Sequence, residues 1–131
     1  MSAIRPLPLF ALAALLPAAA ALATEIKGDA AAGKQLFTAS SCVTFHGVTK
    51  ADTMKGGPSL FGVVGRKAGT GQSLLGATEK LKTYGVIWNA ETLSEFLADP
   101  NAKVPGTPMA GKLADPQQRA DVIAYLATLK D

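Results

Sequence analysis

The single cysteine and the single histidine of this 131-residue chain stand four positions apart, in Cys42-Val43-Thr44-Phe45-His46. A thiol can add across a porphyrin vinyl group to give a thioether, and an adjacent imidazole can bind the ring's iron. The usual pattern for that pair of reactions is C-x-x-C-H. Cys42 and His46 keep the register of the first thiol and of the ligand, while Phe45 stands where the second thiol belongs. Taken by itself, such a pentapeptide more often marks a small buried thiol beside a surface imidazole. A lone cysteine also excludes an internal disulfide and any zinc or iron–sulfur site built from cysteines only.

These side chains need elements to hold them, and apolar residues are unevenly spread along the chain. Of the first 23 residues 18 are apolar: Arg5 precedes an unbroken apolar run from Leu9 to Leu16, Pro17 breaks it, and Ala21-Leu22-Ala23 is a small-x-small pattern. This reads as a secretory signal peptide cleaved near Ala23/Thr24, leaving residues 24–131 as one domain exported to the periplasm. A spanning helix needs about 20 uninterrupted apolar residues, so no stable membrane insertion is expected. Beyond the signal, 12 basic residues face 10 acidic ones. That excess is too small and too scattered for nucleic acid.

In the remaining chain, Asp29 can cap a helix running to about Ser40, with Leu36 and Phe37 as its apolar stripe. Helical spacing returns weakly over Leu74–Tyr84 and clearly from Asn89 or Glu91 to Ala98, where Asp99-Pro100 ends it. A last helix starts near Asp115 or Pro116 and carries Val122, Ile123, Tyr125, Leu126 and Leu129 on one face. Between the first helix and the weak one lies a glycine-punctuated stretch, Ser41 to Gly76, with no sustained strand alternation. A loop that long is uncommon without a function to organise it. The reading is all-α, with too few helices to bury the loops' amides, which points to a hydrophobic prosthetic group at the centre.

From Gly33 to Leu129 the chain resembles the class I cytochrome c family, in particular its bacterial and mitochondrial-like c2-type members. Gly33-Lys34-Gln35-Leu36-Phe37 looks like the family's first helix. The stretch Gly57-Pro58-Ser59-Leu60-Phe61-Gly62-Val63-Val64-Gly65-Arg66-Lys67-Ala68-Gly69 is similar to its G-P-x-L-x-G-x-x-G-R-x-x-G motif. Trp88 with Leu93, then Asp99-Pro100, then Val104-Pro105-Gly106-Thr107-Pro108-Met109 resemble the segment ending in an axial methionine. Ala120-Asp121-Val122-Ile123-Ala124-Tyr125-Leu126 looks like the closing helix.

The resemblance implies a cytochrome c fold of three to five short helices with glycine-rich loops wrapped around one haem. It implies a monohaem single-electron carrier in a periplasmic respiratory or photosynthetic-type chain. Under it, His46 and Met109 are the iron ligands and Pro58 orients His46 through its carbonyl. Cys42 forms one thioether, Arg66 and Trp88 meet the propionates, and Thr107 joins the cofactor-binding set through the methionine motif. Gly33 and Phe37 meet Val122, Tyr125 and Leu126 where the terminal helices cross. Lys34, Lys50, Lys55, Lys103 and Lys112 ring the haem edge and steer anionic redox partners, namely a membrane cytochrome complex or oxidase, or a periplasmic dehydrogenase. The carrier is expected to be a monomer and not an enzyme, because filled axial positions leave no open iron.

Three departures stand out. Phe45 removes the second thioether, Ala110-Gly111-Lys112-Leu113 lacks the aromatic that usually follows the methionine, and Leu75-Gly76 lies where a tyrosine commonly meets a propionate. Two other readings stay open at this level. One is a degenerate relative with weak or no haem acting as an interaction module; the other is a haem protein with peroxidase-like side activity.

Overall fold

The computed structural model describes residues 3, 25–76 and 79–131. The expected signal peptide, apart from residue 3, and its cleavage point at Ala23/Thr24 lie outside the described residues. Six helical segments follow: α1 (Ala30–Ala39), α2 (Cys42–Phe45), α3 (Glu79–Tyr84), α4 (Ala90–Ala98), α5 (Pro100–Lys103) and α6 (Pro116–Ala127). Four exceed a single turn, and α2 and α5 are single turns of four residues each. Among the described residues the β-pairing is one isolated antiparallel bridge, Lys67–Ile87.

The long helices begin where their capping side chains dictate. The Asp29 carboxylate accepts from the Ala31 and Ala32 amides at 2.8 and 3.1 Å, and Asp115 accepts from Gln117 and Gln118 at 2.7 and 3.2 Å. Asn89 and Thr92 form a reciprocal capping box ahead of α4. Each such cap contributes about 1 kcal/mol by satisfying amides that have no partner inside the helix.

The α1–α6 crossing is the main packing contact. A Cβ on Gly33 would overlap the Asp121 carbonyl, so only glycine lets the two backbones approach this closely. Phe37 stands edge-on to Tyr125 with centroids 5.5 Å apart. Asp121, itself buried, accepts from the Asp29 amide and the Gln117 side chain, both at 2.9 Å, so the start of α1 is tied to the middle of α6. Leu93 and Phe96 of α4 complete the core with Val122, Ile123 and Leu126.

Two element boundaries differ from the sequence expectation. The weak helix begins at Glu79, not near Leu74; Leu74 and Leu75 lie exposed in a turn, and Gly76 takes φ +73°, outside the right-handed helical region. Asp99-Pro100 ends α4 but also starts α5, since the Asp99 carboxylate accepts from the Ala102 amide at 3.2 Å and Pro100 sits in the first turn.

Candidate functional site

In α2 the His46 amide donates to the Cys42 carbonyl at 2.9 Å. One helical turn therefore separates thiol and imidazole, with His46 as the extended residue that closes the turn. The chain then folds back across this turn: the Gly57 amide donates to the Phe45 carbonyl at 2.7 Å and the Leu60 amide to the Gly47 carbonyl at 2.8 Å. A Cβ on Gly57 would stand 2.7 Å from His46 Cε1, so glycine is what lets this strap lie against the ring. Lys55 Nζ donates to the Val43 carbonyl at 2.8 Å, filling an acceptor that a four-residue helix cannot satisfy internally.

The strap delivers Pro58 to the imidazole, whose Nδ1 donates to the Pro58 carbonyl at 2.8 Å. With the proton fixed on Nδ1, the Nε2 lone pair is the metal-binding face. Burial drives the His46 pKa down from its ordinary value; the Pro58 carbonyl opposes that, and the Lys55 charge adds to it. The ring is thus held neutral, the form a metal requires. Cys42 is a free, half-buried thiol packed against the core. Phe45, at the missing second thiol, is 55% exposed.

The same strap organises Arg66. Its Nη1 donates to the Phe61 carbonyl at 2.9 Å and its Nη2 to the Ser59 carbonyl at 2.7 Å. Burial lowers its pKa, but a guanidinium stays charged in proteins. Its Nε is buried and unpartnered, as is Ser73 Oγ. Arg66 and Trp88 are neighbours through the bridge: the Trp88 amide donates to the Arg66 carbonyl at 2.9 Å, and the Gly65 amide to the Trp88 carbonyl at 2.7 Å. Trp88 is buried between Tyr84 and Phe96, ring centroids at 5.9 and 5.2 Å.

Met109 ends a loop anchored at several points. The Val104 amide donates to the Pro100 carbonyl at 2.8 Å and the Thr107 amide to the Val104 carbonyl at 3.0 Å. Asn101 Oδ1 accepts from the Gly106 amide at 2.7 Å, and Lys80 Nζ donates to the Gly106 carbonyl at 2.9 Å. Thr107 Oγ1 accepts from the Met109 amide at 3.4 Å, so the hydroxyl and the thioether belong to one turn. Beyond it the Leu113 amide donates to the Leu97 carbonyl at 2.8 Å, and Arg119 Nη1 holds the Leu113 and Ala114 carbonyls. Met109 is half-buried and packs on the same core cluster as Cys42 and Trp88.

His46, Pro58, Arg66 and Trp88 are therefore linked, with Ser59 joining Pro58 to Arg66, and Cys42, Trp88 and Met109 share one apolar core. Ser73, Lys80 and Arg119 were absent from the sequence reading. No motif marks them, because their roles depend on contacts between distant segments. Of the five lysines expected to ring the site, four carry carboxylate partners: Lys50–Asp131 at 2.7 Å, Lys55–Asp52 at 3.2 Å, Lys103–Glu95 at 3.1 Å and Lys112–Asp99 at 3.4 Å.

The residues present fit a haem. A neutral imidazole with Nε2 available, a thiol one turn away and a thioether on the same core supply the donors. Arg66 Nε is a buried cationic N–H with nothing to bind, as a propionate would require. Among the described residues no helix is long and apolar enough to cross a membrane.

Comparison with known proteins gives a consistent result. The family model for cytochrome c matches residues 30–130. The chain is 46% identical over 118 residues to a cytochrome c2 of Rhodopseudomonas palustris, covering 78% of this chain and 99% of that protein. It is 42% identical over 105 residues to the cytochrome c2 of Rhodopila globiformis, covering 79% and 95%. It is 39% identical over 100 residues to the cytochrome c of Ginkgo biloba, covering 76% and 87%.

Proposed function

The chain belongs to the cytochrome c family, and from that premise we infer how its residues hold and use the cofactor. It is a monohaem electron carrier with a covalently attached haem c. When bound, the haem iron supplies a one-electron ferric–ferrous couple. His46 Nε2 and the Met109 sulfur would hold its iron. The neutral thioether is soft and favours the ferrous state, which raises the reduction potential. Pro58 keeps the imidazole in its tautomer and orientation. Cys42 would supply one thioether, and Phe45 would leave the other vinyl group unreacted. Arg66, aided by Trp88, offsets propionate charge at the bridged end of the loop, and Thr107 steadies the turn that carries Met109.

With His46 and Met109 both holding the iron, no position on it would be left for a substrate, and the chain would transfer electrons only. Its partners are redox proteins. The N-terminal pattern supports the finer placement: residues 1–23 would direct export and be removed near Ala23/Thr24, and the mature domain would work in the periplasm as a monomer, with a membrane cytochrome complex or oxidase, or a dehydrogenase, as its partners.

The observation that carries this reading is the 2.8 Å bond from His46 Nδ1 to the Pro58 carbonyl, one turn from Cys42. Mass spectrometry of protein made in a periplasmic host with haem-maturation genes tests it. One haem retained through acid denaturation is expected. A haem that extracts with acid–acetone overturns the Cys42 linkage, and a colourless protein with no Soret band overturns the haem reading.

A further inference from the structure

Arg66 Nε and Ser73 Oγ are both buried and without a hydrogen-bond partner. Buried polar groups are destabilising in that condition and are rare in folded proteins, so each asks for an acceptor or donor that the polypeptide does not supply. We propose that Ser73 is a second haem-carboxylate ligand, its hydroxyl donating to a propionate that also accepts from Arg66 Nε–H. The proposal rests on the haem reading above and names a residue outside the sequence motifs.

The placement is set by Ser59. Its amide donates to the Gln72 carbonyl at 2.7 Å, and its carbonyl accepts from Arg66 Nη2 at 2.7 Å. Gln72 and the guanidinium are therefore held by the N–H and the C=O of one residue. One residue past Ser73, the Leu74 amide donates to the Lys55 carbonyl at 2.8 Å, so Ser73 is clamped on both sides. A Cβ on Gly71 would lie 2.7 Å from Arg66 Nη2, which shows how closely the 71–73 segment runs against the guanidinium.

The chemistry selects the class of ligand. Arg66 Nε can only donate, and a serine hydroxyl can donate or accept. A group that satisfies both together is an acceptor with two lone-pair-bearing oxygens, and the adjacent cation favours an anion. A carboxylate fits, and haem carries two. Leu75-Gly76 occupies the stretch that lacks the tyrosine noted above, and neither residue has a side-chain donor; Ser73 provides the hydroxyl from a position slightly upstream.

The test is the midpoint potential of the haem-loaded protein as a function of pH, in the wild type, Ser73→Ala and Ser73→Thr. The ionisable groups on the segments bonded to Ser73, namely Lys55 with its partner Asp52 and Arg66, are unchanged in both variants. A propionate deprived of a donor keeps its proton to higher pH, so the inflection in Ser73→Ala moves up by about one pH unit. Ser73→Thr, which keeps the hydroxyl, leaves it in place. Ser73→Gly provides a second hydroxyl-free variant and is expected to match Ser73→Ala. A haem-loaded Ser73→Ala protein whose curve coincides with the wild type overturns the Ser73 proposal and leaves the electron-carrier reading intact. Failure of the wild type to hold haem overturns both.

Discussion

The Lys80 ammonium donates to the Gly106 carbonyl at 2.9 Å, joining α3 to the Met109 loop across 26 residues of sequence. The bond lies three residues ahead of the methionine, in a loop whose other ties, from Asn101, Val104 and Thr107, come from its own vicinity. Lys80 thus restrains the loop from outside. Replacing it with Met keeps the aliphatic stem and removes the donor. An exposed hydrogen bond of this kind contributes about 0.5–1.5 kcal/mol, which is roughly a 2- to 10-fold change in how readily the sulfur leaves the iron. In ferric Lys80→Met, exogenous imidazole should displace the sulfur-to-iron charge-transfer band at correspondingly lower concentration. An unchanged titration would show that Lys80 is only surface.

Phe45 gives a test of how the haem is attached. Its ring is 55% exposed, so replacement disturbs little packing, and α2 already places position 45 next to the ligand. Phe45→Cys should form a second thioether, saturating the remaining vinyl group and shortening the conjugated path of the porphyrin. The protein mass should report the same single haem, while the reduced α-band moves to shorter wavelength. Heat resistance should rise as well, through the added cross-link. An α-band that stays in place after the substitution would mean that a thiol at position 45 does not reach the remaining vinyl group.

What the sequence disclosed and what it hid divide along physical lines. α1, α4 and α6 could be read because side-chain periodicity and the caps Asp29, Asn89 and Asp115 are local signals, and the structure starts each helix next to its cap. A single turn such as α5 has too few residues to show a period, and Asp99-Pro100 carries both a stop and a start signal. The weak pattern at Leu74 misled because its apolar residues face outward in a turn closed by Gly76. Cys42, His46 and Met109 were legible as candidates because few residue types can bind iron or add to a vinyl group. Ser73 and Lys80 were not, since a serine or a lysine acquires its role only from what a distant segment brings near it.

The α1–α6 crossing predicts a stability effect separable from the haem site. Gly33 packs its Cα against the Asp121–Val122 backbone, with no room for a methyl group. Gly33→Ala has to push the helices apart, and overpacking of this kind costs about 1–3 kcal/mol. For a domain near 100 residues each kcal/mol lowers the melting temperature by roughly 4–8 °C. Calorimetry should show that loss while the Soret and α-bands keep their positions, because the contact lies outside the iron's ligands. A melting temperature within error of the wild type would mean that α1 can slide along α6 at no cost.

The pairing of the lysines bears on how far they can steer an anionic partner. A lysine with a carboxylate at about 3 Å acts at a distance as a dipole, and its field falls off faster than that of a lone charge. Lys50, Lys55, Lys103 and Lys112 each have such a partner, and Glu95 holds Lys103 more firmly protonated than usual. Steered complexes gain 10- to 1,000-fold in on-rate at low salt; this chain should lose less than about threefold between low and physiological ionic strength when mixed with an acidic redox protein. Glu95→Gln frees Lys103 without altering the core, so stopped-flow electron transfer should become faster at low salt and more salt-sensitive. A wild-type rate that already falls steeply with salt would mean that the ion pairs open in solution and leave the lysines to act as free charges.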